Sequence, residues 1–121
     1  MDKTVLIVDD EEISRELFGY MLKTRNYNIL EAGFGTEALS VLEKAQPDLI
    51  LLDLFMDDGD GFMVTRAVRE NPKIKAIPIL VITAADSVDI HRKIQEAGCD
   101  GLILKPIDME RFLDTVDQFL T

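Results

Sequence analysis

Thr4-Val-Leu-Ile-Val8 runs directly into Asp9-Asp10, and this stretch decides how the chain reads. An unbroken aliphatic run with no polar alternation suits a strand covered on both faces, as in a parallel sheet between helices. The same form recurs three times: Leu49-Ile-Leu-Leu52 runs into Asp53, Ile79-Leu-Val-Ile82 into Thr83, and Leu102-Ile-Leu104 into Lys105-Pro106. If these runs are parallel strands of one sheet, their carboxyl ends share an edge, and in open α/β sheets ligands bind at that edge. Three carboxylates, a hydroxyl and an ammonium would then converge. Such a set can hold a divalent cation and receive a phosphoryl group.

Between the runs the apolar period changes. Residues 12–24 carry Ile13, Leu17, Phe18, Met21 and Leu22 at helical spacing. A second strand is expected over Tyr27–Glu31 after a turn at Arg25-Asn26, then a helix over Thr36–Lys44 with Ala38, Leu39 and Leu42 on one face. Helices are expected over Phe62–Glu70, ending before Pro72, over Ser87–Ala97, stopped by Gly98, and over Met109–Leu120. The strands are Val5–Val8, Tyr27–Glu31, Leu49–Leu52, Pro78–Ile82 and Gly101–Leu104. Strict βα alternation gives an α/β fold: a five-stranded parallel sheet, doubly wound as (βα)5. With strand order 2-1-3-4-5, the switch point falls between the first and third strands, where Asp9, Asp10 and Asp53 stand.

A chain of 121 residues builds one core and not two. The apolar fraction of 47% and charged fraction of 30% are those of a soluble globular domain. No apolar stretch approaches the roughly 20 residues of a membrane helix, and Met1-Asp2-Lys3 leaves no room for a signal peptide before the first strand. Cys99 has no second cysteine to pair with, which suits a reducing cytoplasm; beside Gly98 it reads as packing. The net charge of −10 argues against direct nucleic-acid binding and for divalent cations or basic protein surfaces as partners.

Each candidate residue taken alone has an ordinary explanation. A strand-end Asp can cap the next helix, a strand-end Lys can be solvated, and a strand-end Thr can bond its own hydroxyl locally. Three carboxylates at the two strands flanking the switch point are harder to explain that way. At close range they repel one another unless a cation or proton sits among them, and hard oxygen donors suit Mg²⁺ or Mn²⁺. Lys105, held extended by Pro106, would pair with Asp53 and could then bind a phosphoryl oxygen. Thr83, followed by the small Ala84, could donate to one.

Taken together, Val5-Leu-Ile-Val-Asp-Asp10, Pro47-Asp-Leu-Ile-Leu-Leu-Asp-Leu54, Val81-Ile-Thr-Ala84, and Ala97-Gly98 leading to Lys105-Pro106 resemble the receiver domain of bacterial two-component response regulators, over essentially the whole chain. The resemblance implies a flavodoxin-like fold of the single-domain, chemotaxis-regulator kind. Residues 1–121 would form one receiver domain, with no effector domain in this chain. It implies that Asp53 is the phosphoacceptor, that Asp10, Asp53 and the Phe55 backbone carbonyl hold the metal directly and Asp9 through water, and that Thr83 and Lys105 bind the phosphoryl oxygens. The phosphodonor would be a sensor histidine kinase, a histidine phosphotransfer protein or a small phosphodonor. The output would be a downstream protein reached through the face around the fourth helix, fifth strand and fifth helix, in the cytoplasm, with no membrane or direct nucleic-acid partner. Catalysis would be limited to the chain's own phosphotransfer and slow self-dephosphorylation.

Two departures from the family pattern stand out. After the phosphoacceptor the family usually reads Met-Pro-x-Met-Asp-Gly, and here Met56 is followed by Asp57-Asp-Gly-Asp-Gly61, an acidic and flexible-looking turn. Three residues before the lysine, where the family usually has Tyr or Phe, stands Leu102. A leucine cannot carry a ring between two positions, so output is expected to run through the loops after the third and fourth strands. Phe55 and Ala85, two residues beyond Asp53 and Thr83, cannot orient an attacking water, so the phosphoryl group should be long-lived. His91, among Asp89, Arg92 and Lys93, reads as an exposed helix residue; Arg15 and Arg66 read as exposed and are given no role. Phe18, Met21, Met109 and Phe112 read as core.

Other chemistries fit less well. The acidic turn lacks the ligand spacing of an EF-hand, and Gly33-Phe-Gly35 follows the wrong strand for a dinucleotide fingerprint. A Mg²⁺-dependent phosphatase with an Asp nucleophile would need a general acid where Phe55 stands and an enclosing cap. A docking module that never uses phosphate is the remaining alternative.

Overall fold

A computed structural model describes residues 2–56 and 59–121, with backbone alone at 55, 56, 59 and 60. Asp57 and Asp58, and with them the expected flexible acidic turn, lie outside the described residues. Five strands form one parallel sheet: β1 (Thr4–Val8), β2 (Asn28–Ala32), β3 (Leu49–Asp53), β6 (Ile79–Thr83) and β7 (Gly101–Leu104), in the spatial order β2-β1-β3-β6-β7. This is the 2-1-3-4-5 order expected for the five aliphatic strands. Two further segments, β4 (Phe55–Met56) and β5 (Gly59–Asp60), pair antiparallel directly after β3, where the sequence implies no strand. A two-residue strand carries no periodicity to detect.

The helices are α1 (Glu12–Lys23), α2 (Gly35–Lys44), α3 (Gly61–Glu70), α4 (Val88–Ala97) and α5 (Met109–Leu120). The alternating side chains of the strands supply two separate cores. Val5, Ile7, Leu49, Leu51, Leu80 and Ile82 pack with Phe18, Met21 and Leu22 of α1 and Phe112, Leu113 and Val116 of α5. Leu6, Val8, Ile50, Leu52, Ile79 and Val81 pack with Ala38 and Leu42 of α2, Val64 and Val68 of α3, and Ile94 of α4. A sheet buried on both faces in this way explains the unbroken aliphatic runs. Burial of each large aliphatic side chain contributes about 1.5–3 kcal/mol.

One expectation about the core requires correction: Met109 is 42% exposed. Of the apolar residues at helical spacing on α1, Ile13 and Leu17 are 79% and 53% exposed. On α1 the buried arc is set by Phe18, Met21 and Leu22, whereas Ile13, Leu17 and Tyr20 recur at i, i+4 and i+7 along the outward side. Met109 opens α5, one turn before the buried Phe112 and Leu113.

The edge where the strands begin is heavily braced. Asp48 accepts the Thr4 N–H at 2.8 Å. Asp117 accepts from the Tyr27 hydroxyl and from Arg25, tying the α1–β2 turn to α5. Burial and the adjoining Asp117 push the Tyr27 hydroxyl up to a pKa of about 12. Arg69 of α3 donates to the carbonyls of Lys75, Ile77 and Gly98 and to the Asp100 carboxylate. One side chain thus fastens α3 to the connection before β6 and to the turn between α4 and β7.

Candidate functional site

The strands end at the opposite edge, and the expected residues meet there. Val8 pairs with Leu52 across β1 and β3, so Asp9 and Asp53, each one position further on, emerge side by side. One carboxylate oxygen from each of Asp9, Asp10 and Asp53 lies within 4.8 Å of the others. Asp9 is 2% exposed and Asp53 9%, while Asp10 is half-buried. Adjacent oxygens on a six-coordinate Mg²⁺ with bonds of about 2.1 Å lie about 3 Å apart, and opposite ones about 4.2 Å. A separation of up to 4.8 Å therefore accommodates two direct ligands with the third reaching through water. All three donors are hard oxygens, the chemistry that Mg²⁺ and Mn²⁺ select.

Local structure fixes each position. Asp9 continues the β1–β2 ladder through its N–H to the Ala32 carbonyl, 3.1 Å, and its Oδ1 accepts the Glu11 N–H at 2.9 Å, closing the turn into α1. Asp53 is the last residue of β3, opposite Ile82. Behind it, the Gly61 N–H donates to the Leu54 carbonyl at 2.7 Å. A Cβ at residue 61 would lie 2.9 Å from the Asp53 carbonyl oxygen, so only glycine lets the start of α3 close on the backbone that carries Asp53. Phe55, expected to offer its carbonyl, opens β4 two residues beyond Asp53.

On the far side, β6 and β7 bring Thr83 and Lys105 together. The Lys105 N–H donates to the Thr83 carbonyl at 2.9 Å, and the Lys105-Pro106 bond is cis. Thr83 is 2% exposed. Its hydroxyl accepts the Ala85 N–H at 3.0 Å, the local bond that a strand-end threonine can make. A hydroxyl that accepts still carries a proton to donate elsewhere, so the local bond and a phosphoryl contact are compatible. Lys105 is half-buried at this edge.

The remaining candidates fall largely where the sequence put them. His91 is exposed on α4, its ring 2.7 Å from Asp86. Arg66 is exposed. Cys99 is partly buried against the α2–α3–α4 core, with its sulfur 3.7 Å from the Thr65 hydroxyl. Burial pushes its thiol above the ordinary cysteine range, which suits packing and not nucleophilic chemistry. Leu102 is half-buried, pairs with Val81 and packs on the same core. His91, Leu102, Leu104, Pro106, Arg111 and Phe112 line a groove between α4, β7 and α5.

One residue assigned nothing by sequence belongs to the site's surroundings. Arg15 is not an exposed helix residue: its side chain is 19% exposed and donates to the Asp9 carbonyl at 2.6 Å. An arginine six positions after a strand-end aspartate, facing Glu31 at the end of the neighbouring strand, was the available signal.

Comparison with known proteins agrees with this geometry. Residues 5–117 match a family model described as the response regulator receiver domain. The chain is 32% identical over 120 residues to the polar-differentiation response regulators DivK of Brucella ovis and Brucella anthropi, covering 99% of this chain and 98% of each relative. Among solved structures, chemotaxis protein CheY4 of Vibrio cholerae superposes with a TM-score of 0.93 at 31% identity, over 98% of this chain and 99% of that one. The receiver domain of a signal transduction histidine kinase from Syntrophus aciditrophicus gives a TM-score of 0.90 at 27% identity, over 98% and 89%.

Proposed function

Because the chain belongs to the response regulator receiver domain family, we propose that it accepts a phosphoryl group on Asp53 from a sensor histidine kinase or a histidine phosphotransfer protein, and that the modified chain presents an altered face to a downstream protein. The observation that carries this reading is the meeting of Asp9, Asp10 and Asp53 within 4.8 Å at the sheet edge that also bears Thr83 and Lys105.

Asp10, Asp53 and the Phe55 carbonyl would hold Mg²⁺ or Mn²⁺ directly, and Asp9 through water. Bound there, the cation neutralises charge on the phosphoryl oxygens. An Asp53 oxygen attacks phosphorus in line with the leaving group. A new O–P bond forms while the donor's P–N bond breaks, or its P–O bond when the donor is an acyl phosphate, and the leaving atom keeps the bonding pair. The Lys105 ammonium balances charge on the transferring group. The product is an aspartyl phosphate, and the Thr83 hydroxyl donates to one of its oxygens. Drawing Thr83 toward the phosphoryl group moves the 84–87 connection and the start of α4. Phosphorylation thereby favours one of two arrangements of the face that includes the α4–β7–α5 groove. The chemistry is stoichiometric, one phosphoryl group per chain, followed by slow self-hydrolysis, and the setting proposed is the cytoplasm. Among the described residues no helix is long and apolar enough to cross a membrane.

Intact-mass measurement after incubation with acetyl phosphate and Mg²⁺ tests the reading. The expected result is one phosphoryl adduct that disappears in Asp53→Asn and without metal. No adduct, and no response to beryllofluoride, would overturn it in favour of phosphate-independent docking. Steady turnover of a phosphomonoester would favour a phosphatase.

A further inference from the structure

Asp9 is held at nearly every polar atom. Its N–H is bonded to Ala32, its Oδ1 takes the Glu11 N–H, and its carbonyl takes Arg15 Nη1 at 2.6 Å. Of these three bonds, the last has a side chain as its donor. It is also the one that acts on the peptide joining Asp9 to Asp10, because the Asp9 carbonyl is half of that peptide. Orienting this carbonyl orients the Asp10 N–Cα bond and with it the direction in which the Asp10 carboxylate leaves the chain.

Arg15 is itself well placed to hold that peptide still. Its backbone N–H closes the first turn of α1 on the Glu11 carbonyl at 3.1 Å, so the side chain reaches back from a fixed point. Its Nε faces Glu31 at 3.4 Å, which aims the guanidinium across the ends of β1 and β2. Below it lies Gly33: a Cβ there would sit 3.2 Å from Nη1 and 3.7 Å from Cζ. The Gly33 N–H is in turn bonded to Glu37 at 2.7 Å, so the loop under the guanidinium is anchored.

We infer that Arg15 is a positioning residue for the metal pocket: it sets the Asp9–Asp10 peptide so that both carboxylates face Asp53. The inference rests on the proposed function, since it takes those carboxylates to hold the cation. It makes a prediction opposite in sign to that of simple electrostatics. A cation beside an acidic pocket weakens divalent-metal binding by repulsion, so removing its charge alone would tighten the binding. Removing a support for the ligands loosens it, typically 10–100-fold for groups that orient metal ligands.

Calorimetric titration of the full chain with MgCl₂ alone separates the two; the absence of tryptophan favours heat over intrinsic fluorescence as the signal. Arg15→Gln is expected to weaken Mg²⁺ about tenfold relative to the unsubstituted chain. Gly33→Val keeps the Arg15 charge but displaces the guanidinium, and is expected to weaken Mg²⁺ in the same direction. Circular dichroism at the titration temperature establishes that each variant is folded, and Gly33→Val carries the test should Arg15→Gln fail to fold. Unchanged or tighter binding in a folded variant would overturn the inference and leave the proposed function standing. An unsubstituted chain that shows no saturable Mg²⁺ binding would overturn the reading of the pocket, and the inference with it.

Discussion

The Arg69 guanidinium lies 2.7 Å from Asp100 Oδ2, and that same oxygen accepts the Ile79 N–H at 2.8 Å. The pair therefore fixes the first residue of β6 as well as the end of α3. Arg69→Ala would strip donors from three carbonyls and one carboxylate at once. With the arginine 23% and Asp100 42% exposed, water takes over part of this bonding, and a loss of about 2 kcal/mol is expected. Urea denaturation measures it, while phosphoryl uptake from acetyl phosphate, at the opposite edge, should stay within twofold of the unsubstituted chain.

Tyr27 and Asp117 give a pH signature. The folded Tyr27 hydroxyl has a pKa raised to about 12, against about 10 in the unfolded chain. Between these values the folded chain binds the extra proton, so its contribution is fully present below pH 10 and is lost as pH rises through 12. Tyr27→Phe should remove that alkaline decline and cost about 1 kcal/mol at neutral pH. Thermal unfolding of both proteins from pH 8 to 12 checks it.

Thr83→Ala should leave uptake of one phosphoryl group measurable but uncouple it from α4. With beryllofluoride bound, hydrogen exchange over residues 84–94 should change in the unsubstituted chain and not in the variant. In the unsubstituted chain the change at Leu102 should be smaller than that in the 84–87 connection. Leu102 as the site of greatest change would contradict the route through that connection.

Phosphoryl lifetime should respond to residue 55. An asparagine two residues beyond Asp53 can orient water where phenylalanine cannot. Phe55→Asn is expected to speed loss of the phosphoryl group about tenfold, below the 10²–10⁴ of full general-base catalysis. Decay of the +80 Da species by mass spectrometry measures it, and an unchanged or longer half-life would refute it.

The legible part of the fold was the part written as periodicity. Four aliphatic runs and five helical stripes are enough to place β1, β3, β6 and β7 and their polar ends. Right-handed connection and burial on both faces give a doubly wound sheet but not its strand order, since more than one order satisfies both. The β4–β5 pair was not legible because two-residue strands have no period. Periodicity placed Ile13 and Leu17 on a helix but not in or out of the core, because it marks an apolar arc without saying which part of it meets the sheet. Arg15 and Arg69 escaped for a different reason: each acts mainly on backbone carbonyls, and carbonyls are the same in every sequence. Thr83 and Lys105 were identified only jointly, since neither residue type is unusual at a strand end.

The braces at Asp48, Asp100 and Asp117 all stand at the edge where strands enter the sheet, and the carboxylates of Asp9, Asp10 and Asp53 at the edge where strands leave it. Heritable change can therefore act on the two edges separately. Under the proposed function, substitutions that retune ion preference or signal duration fall at the second edge, and substitutions that harden the fold through these braces fall at the first, far from the chemistry. A lineage built on this plan is free to diversify its signalling while its architecture stays nearly constant.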